Sequence, residues 1–213
     1  MGETENKILD AARDEFVTTG LKGARMQSIA DRAGVNKALL HYYFRSKEKL
    51  YEEVLSDVVE TLWGEIGKQI QQMKKAPDIR TMISLIVNTY FKTMQANPLL
   101  IKIIIRELAE DGTIFPIIAK RLFDTFGKIP RGLLDKIQDG IKDGRIYPDF
   151  KPVDILINTM GMCAITFAIV PVAKKVSECL GFGFEADDAF FKSRINSIVT
   201  MICDGIFTKG DKE

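Results

Sequence analysis

Four consecutive residues, His41, Tyr42, Tyr43 and Phe44, place an imidazole and two phenolic hydroxyls beside a run of cations, Arg45, Lys47 and Lys49. Imidazole, phenol and ammonium groups all reach phosphate oxygens, and such contacts fix a protein's register on a duplex. Residues 20–50 carry seven Lys/Arg (22, 25, 32, 37, 45, 47 and 49) against two acids, Asp31 and Glu48. A local excess of five positive charges is the electrostatic footprint of phosphate binding. The 213-residue chain as a whole is nearly neutral, with a formal charge of +1. That excludes a strongly cationic, nonspecific polyanion binder, so any nucleic-acid surface is local. On residue types alone, two plainer readings stand beside this one. The cations can form a solvated face, and the aromatic run can be packing, with Phe44 and one of the two tyrosines turned inward.

The elements that would position these residues read as helices. Ile8, Leu9, Ala12 and Phe16 share one face of a first helix that Gly20 ends. Ile29, Ala30 and Ala33 mark a short second helix stopping at Gly34. Asn36 is an N-cap for a third helix through Tyr43, and Ser46 caps a long fourth. Two helices separated by so short a turn have helix-turn-helix geometry. Gly34 supplies the positive φ that the turn needs, Val35 fits the angle, and small Ala30 lets the helices approach closely.

Beyond residue 50 the pattern stays helical. Pro77 and Asp78 break the chain before a helix with Met82, Leu85, Ile86, Thr89 and Tyr90 on one face, and Asn97-Pro98 opens another, LLIKIIIRELAED. After Gly112-Thr113 a helical stretch is expected to about Lys142, then a loop over 144–152. The segment 155–173, ILINTMGMCAITFAIVPVA, carries no charge and has the length of a membrane span. It also holds Asn158, Thr159, Gly161, Thr166 and Pro171, so the expectation is a helix buried on most sides, in the core or against another subunit. A loop with Gly181 and Gly183 precedes a last helix striped by Ile195, Ile198, Val199, Ile202 and Ile206. The expected fold class is all-α, about nine helices, with no sheet. Cys163, Cys179 and Cys203 show no metal or redox spacing and fit reduced thiols in a cytoplasmic protein. The acidic, amphipathic start does not have the form of a signal peptide.

IADRAGVNKALLHYYFRSKEKLYEEVL resembles the DNA-binding signature of the TetR-like family of bacterial transcriptional repressors. The family pattern IA..AGVS.G.LY.YF.SKE.L is matched at Ile29, Ala30, Ala33, Gly34, Val35, Leu40, Tyr43, Phe44, Ser46, Lys47, Glu48 and Leu50. ILDAARDEFVTTG matches the family's usual first helix. The resemblance implies a three-helix DNA-binding domain over 1–46 and a larger helical effector-binding and dimerisation domain over 47–213. It places Lys37 and Leu39 toward base edges and gives Gln27 a position that sometimes reaches a base. His41, Tyr42, Tyr43 and Lys47 match positions used for phosphates or for packing beside them. The sequence departs from the pattern where Arg25 and Ser28 replace a capping pair, and Arg25 is expected to add a phosphate contact. Leu39 replaces a hydroxyl residue, which suits a thymine methyl.

In the larger domain the resemblance implies a four-helix dimer interface built from two C-terminal helices, with Ile155, Thr159, Cys163, Ile195, Ile198 and Ile202 as its candidates. Phe91, Met94, Phe115, Phe123, Phe126, Met160 and Phe167 are candidate lining for an apolar or amphipathic effector, though the same residues fit plain core. Asn88, Asn158 and Thr159 are candidates to orient it. Arg106, Glu107, Glu110 and Asp111 are candidate ion-pairing residues. The implied partners are palindromic operator DNA, a second copy of the chain and a small molecule, with no cofactor, metal or membrane. Two other classes remain. An enzyme is disfavoured because His41 neighbours no Ser or Cys nucleophile and no P-loop, HExxH or GxGxxG occurs. A helical protein-interaction module is disfavoured by the basic set at 37, 45, 47 and 49.

Overall fold

The computed structural model describes residues 2–97, 101–102, 105–106, 109 and 115–208. Its helices are α1 (Glu3–Gly23), α2 (Met26–Ala33), α3 (Lys37–Phe44), α4 (Lys47–Gln71), α5 (Ile79–Ala96), α6 (Phe115–Phe126), α7 (Lys128–Lys142), α8 (Pro152–Leu180) and α9 (Asp188–Ile206). Among the described residues there is no strand, only an isolated antiparallel bridge between Ile146 and Phe207. The all-α expectation holds. The chain divides into two compact units, Met1–Thr61 with Asn97–Thr125, and Leu62–Ala96 with Phe126–Glu213. By packing, the division between the two units falls inside α4.

The first unit is built on the face predicted for α1. Ile8, Leu9, Ala12 and Phe16 are buried there with Ile29 and Ala30 of α2, Leu40 and Phe44 of α3, and Leu50, Tyr51, Val54 and Leu55 of α4. The Phe16 and Tyr51 rings meet edge to face at 4.8 Å. Gly20 leaves helical geometry at φ 70°, ending the regular part of α1. Arg106 fills the space beside it and donates from Nη1 to the Phe16 carbonyl at 3.2 Å. Of the residues named with Arg106, Glu107, Glu110 and Asp111 lie outside the described residues. Two ion-pair systems fasten α4. Arg13 of α1 pairs with Asp57, and Arg121 of α6 bridges Glu53 at 2.7 Å and Glu60 at 2.5 Å. The Glu53 hydrogen bond, with both carboxylates nearby, pushes the Arg121 guanidinium further up.

In the second unit α5 supplies the densest core, with Ile83, Ile86, Val87, Tyr90, Phe91 and Met94 buried against α8 and α9. Phe91, Phe167 of α8 and Phe191 of α9 form a three-helix aromatic junction, with centroids 5.1 Å apart for Phe91–Phe167 and 5.4 Å for the stacked Phe167–Phe191 pair. Burial pushes the Cys163 thiol up to about 12, with Arg194 pulling the other way. Burial likewise pushes Cys203 up to about 11. All three cysteines are free, and Cys179 is exposed.

One expectation needs correction. The stretch running to Lys142 is two helices, broken at Gly127. Pro130 has no N–H to offer and its ring crowds the carbonyl four residues back, which favours a break just before it. Within the chain α8 is buried on one side only, which leaves the other side open to the alternative of burial against another subunit. By length and composition it could cross a membrane, yet 22% of its most apolar window is buried inside the chain. Ile155, Thr159, Cys163 and Thr166 face inward, whereas Ile157, Ile165, Ile169, Val172 and Val176 are exposed. The sequence could not separate these faces because the helix is apolar nearly all round.

Two glycines with positive φ give a comparative test. A Cβ at Gly34 (φ 68°) meets nothing within 4 Å, so Gly34→Ala should cost only backbone strain, about 1 kcal/mol. A Cβ at Gly20 (φ 70°) would lie 2.8 Å from Arg106 Nη1. Gly20→Ala should therefore lower the thermal midpoint more than Gly34→Ala does; equal or reversed losses would contradict this packing.

Candidate DNA-binding surface

The turn between α2 and α3 closes as the sequence requires. Gly34 adopts φ 68° and ψ 31°, and its N–H reaches the Asp31 carbonyl at 3.2 Å while the Val35 N–H reaches Ala30 at 3.0 Å. This paired arrangement is a Schellman motif, which satisfies carbonyls left over at the end of α2. Asn36 then caps α3, its Oδ1 accepting from the Leu39 N–H at 2.8 Å. Ser46 caps α4 through the Lys49 N–H at 3.2 Å. At the same helix start the Glu48 carboxyl lies below its ordinary range, held by its own backbone N–H and the Ser46 hydroxyl.

The N-terminus of α2 lacks a side-chain cap of its own. Glu15 of α1 supplies one from a distance. Its carboxylate accepts from the Arg25 N–H at 3.3 Å and from the Ser28 hydroxyl at 2.8 Å, with Arg32 at 3.8 Å. Glu15 is itself buried, with 6% of its surface exposed. A carboxylate removed from water needs such partners, so this interhelical cap locks α2 to α1. Sequence reasoning missed Glu15 because it lies ten to thirteen residues from its partners, outside any local capping pattern.

A second missed feature joins α3 to α4. Arg45 has φ 56° and ψ −51°, the sole positive φ at a non-glycine among the described residues. The Ser46 N–H closes onto the Phe44 carbonyl at 2.5 Å across it. This is a γ-turn of the rare, strained kind, and it holds the end of α3 against the start of α4 while projecting an exposed cation. In the sequence Arg45 reads only as one cation of the basic run.

The candidate DNA contacts fall as follows. Arg25 and Lys37 are exposed and, like Arg45, have no carboxylate partner among the described residues. Gln27 is exposed with its Nε2 donating to Asp31 at 2.7 Å. Leu39 is half-buried. Tyr42 and Tyr43 are 70% and 40% exposed, packed edge to face at 5.5 Å, and only Phe44 turns into the core. Tyr43, the less exposed of the two, also lies beside the Phe44 ring at 6.2 Å. His41 is half-buried, its Nδ1 3.1 Å from the Arg45 carbonyl. Lys47 donates to the Lys22 carbonyl at 3.2 Å, tying α4 to the end of α1. By contrast, Arg32 and Lys49 are engaged by acids, Asp14 at 3.3 Å and Glu52 at 2.8 Å.

The residues expected at the effector and dimer sites are less coherent. Phe91 and Met94 are buried, Phe167 completes the aromatic junction, and Met160 is half-buried. Phe123 is exposed and lies in the other unit. The side chains of Phe115 and Phe126 lie outside the described residues. Thr159 donates to its own helix at Ile155, Asn88 donates to Ser84, and Asn158 is exposed. An open cleft of about 720 Å³ in the second unit is lined instead by Val170, Lys174, Glu178, Phe182, Phe184 and Glu185. Of the proposed interface residues, Ile155, Thr159, Cys163, Ile198 and Ile202 are buried within the chain, and Ile195 is half-buried.

A capped helix pair held by a third helix, with exposed cations and tyrosines on its second member, defines a helix-turn-helix DNA-binding protein. Residues 8–54 match the model for bacterial regulatory proteins of the tetR family. The transcriptional repressor KstR2 of Mycolicibacterium smegmatis is 29% identical over 153 residues, 68% of this chain and 68% of its own. The transcriptional regulator RutR of Escherichia coli is 48% identical over 56 residues, 26% of each chain. The fold matches that of the transcriptional regulator FadR of Bacillus subtilis, solved with stearoyl-CoA, at a TM-score of 0.71 and 17% identity over 94% of this chain and 98% of that one. These likenesses support a TetR-like transcriptional regulator rather than an enzyme.

Glu15 gives the test of this surface. Glu15→Ala leaves the Arg25 N–H and the Ser28 hydroxyl without their acceptor, at about 1–3 kcal/mol for each buried group so stranded. Glu15→Gln keeps one acceptor oxygen and should fall between wild type and Glu15→Ala in thermal denaturation. An unchanged midpoint in Glu15→Ala would show that the interhelical cap does not hold α2.

Proposed function

We propose that the chain is a cytoplasmic repressor that binds a palindromic operator as a homodimer and leaves it when a small apolar or amphipathic effector binds. Residues 1–46 carry the DNA-binding role and 47–213 the effector and dimer roles. The observation that carries the reading is the exposed α3, with Lys37 at its start, the Tyr42–Tyr43 pair along it and Arg45 at its end, on a capped and buttressed frame. Lys37 and Leu39 meet base edges, while Arg25, His41, Tyr42, Tyr43 and Lys47 meet the backbone, with Gln27 reaching a base once it leaves Asp31. A dimer sets two such helices in successive major grooves, about 34–36 Å apart along the duplex.

The surface that supports dimerisation is the outward face of α8, where Ile157, Ile165, Ile169, Val172 and Val176 recur at three- and four-residue spacing around Gly161. A monomer in water rarely leaves so long an apolar stripe uncovered, and a two-fold pairing buries it against itself. This is also the reading of α8 that needs no membrane. For the effector, the stearoyl-CoA held by the FadR structure fits an apolar or amphipathic molecule. An effector that prefers the form with the wrong helix spacing shifts the population off DNA.

Selection of bound duplexes from a random-sequence pool should return an inverted repeat. Lys37→Ala should then weaken binding to the selected duplex and flatten its dependence on salt by about one unit of slope. Recovery of no common sequence would refute operator recognition. In sedimentation, Ile165→Glu with Ile169→Glu should shift the protein from dimer to monomer while leaving helicity intact; a persistent dimer would place the interface elsewhere.

A further inference from the structure

His41 is the only histidine of the chain. Its Nδ1 lies 3.1 Å from the Arg45 carbonyl oxygen. A carbonyl only accepts, so Nδ1 carries the hydrogen. In the neutral ring Nε2 is then a bare lone pair, and among the described residues no protein group bonds it. The backbone phosphate of DNA is likewise only an acceptor at neutral pH. A neutral His41 would set a lone pair against anionic oxygens, whereas the imidazolium would present an N–H. The Arg45 carbonyl fixes this choice because the γ-turn holds it in place.

We propose that His41 binds the DNA backbone as an imidazolium, donating from Nε2, so that operator binding takes up one proton per protomer. This rests on the DNA-binding reading above. The charged groups on the elements next to His41 are mostly cationic: Lys37 one turn before it on α3, Arg45 at the end of α3, Arg25, Arg32 and Asp31 at and on α2, and Lys47 with Glu48 at the start of α4. The acids among them are accounted for, since Asp31 accepts from Gln27 and Glu48 is held by its own helix start. The phosphate is then the anion that favours the proton. The sign follows from linkage: the DNA-bound form holds more protons than the free form, so affinity rises as pH falls through the range where histidine titrates.

The test is an anisotropy titration of the full chain on a duplex selected from the random pool, at fixed ionic strength, from about pH 6 to about pH 8. The wild type should lose affinity as pH rises, approaching tenfold per pH unit per protomer at the steepest point. His41→Gln, which keeps an N–H donor without a titrating group, should give a flat profile. Because that variant also loses the Nδ1 bond, the wild-type imidazole resonance provides a second reading, and it should titrate at higher pH in the complex than in the free protein. A flat wild-type profile, the same slope in His41→Gln, or an unmoved resonance would each overturn the proposal while leaving DNA binding standing. Absence of binding at every pH would overturn both.

Discussion

The orientation of the DNA-binding helices depends on one buried carboxylate. Glu15 of α1 satisfies the free backbone N–H and the hydroxyl at the start of α2, and Arg32 approaches from the same helix. An isolated charge in that position would be costly. With its hydrogen bonds made, it fixes where α2 begins and how it lies on α1. The Schellman turn at Gly34 and the Asn36 cap then leave α3 little freedom, so a residue on α1 sets the direction of side chains more than twenty positions later.

The far end of α3 is held as firmly. The γ-turn at Arg45 stores strain of about 1–3 kcal/mol, which the surrounding packing of Phe44 and Leu50 sustains. Arg13 and Arg121 grip successive turns of α4 from two sides through Asp57, Glu53 and Glu60. These ion pairs are partly exposed, so each contributes little stability alone. Their effect is geometric, keeping the first turns of α4 registered against α1 and α6. Arg106 does the same for the end of α1, occupying the space that only a glycine at position 20 leaves open. The cations that would meet DNA are those left outside this network.

Local signals in the sequence were enough for the helix-turn-helix. Gly20, Gly34, Asn36 and Ser46 act within a few residues of themselves, and each does what its chemistry suggests. Signals that depend on tertiary neighbours were not legible. Glu15 reads as one more surface acid until α2 folds against it. The break at Gly127 was missed because Pro130 sits three residues into the helix it helps to start. In α8 the pattern did not separate the two faces: Thr159 and Cys163 looked suited to a subunit seam, yet they are buried within the chain, while Ile157, Ile165, Ile169, Val172 and Val176 face out. The candidate effector residues show the same limit, since a buried phenylalanine in an aromatic junction and one lining a cavity have identical sequence signatures.

The central claim is that a locally cationic helix-turn-helix on a nearly neutral chain reads DNA sequence. Competition measures this most directly: a labelled selected duplex, challenged with unlabelled duplex of the same sequence or with a shuffled one, over a range of salt concentrations. The account predicts tight binding that weakens steeply with salt, displaced by the matching competitor and resisting the shuffled one at every salt. Equal displacement by both competitors would contradict it, leaving a basic surface that holds phosphate without reading bases.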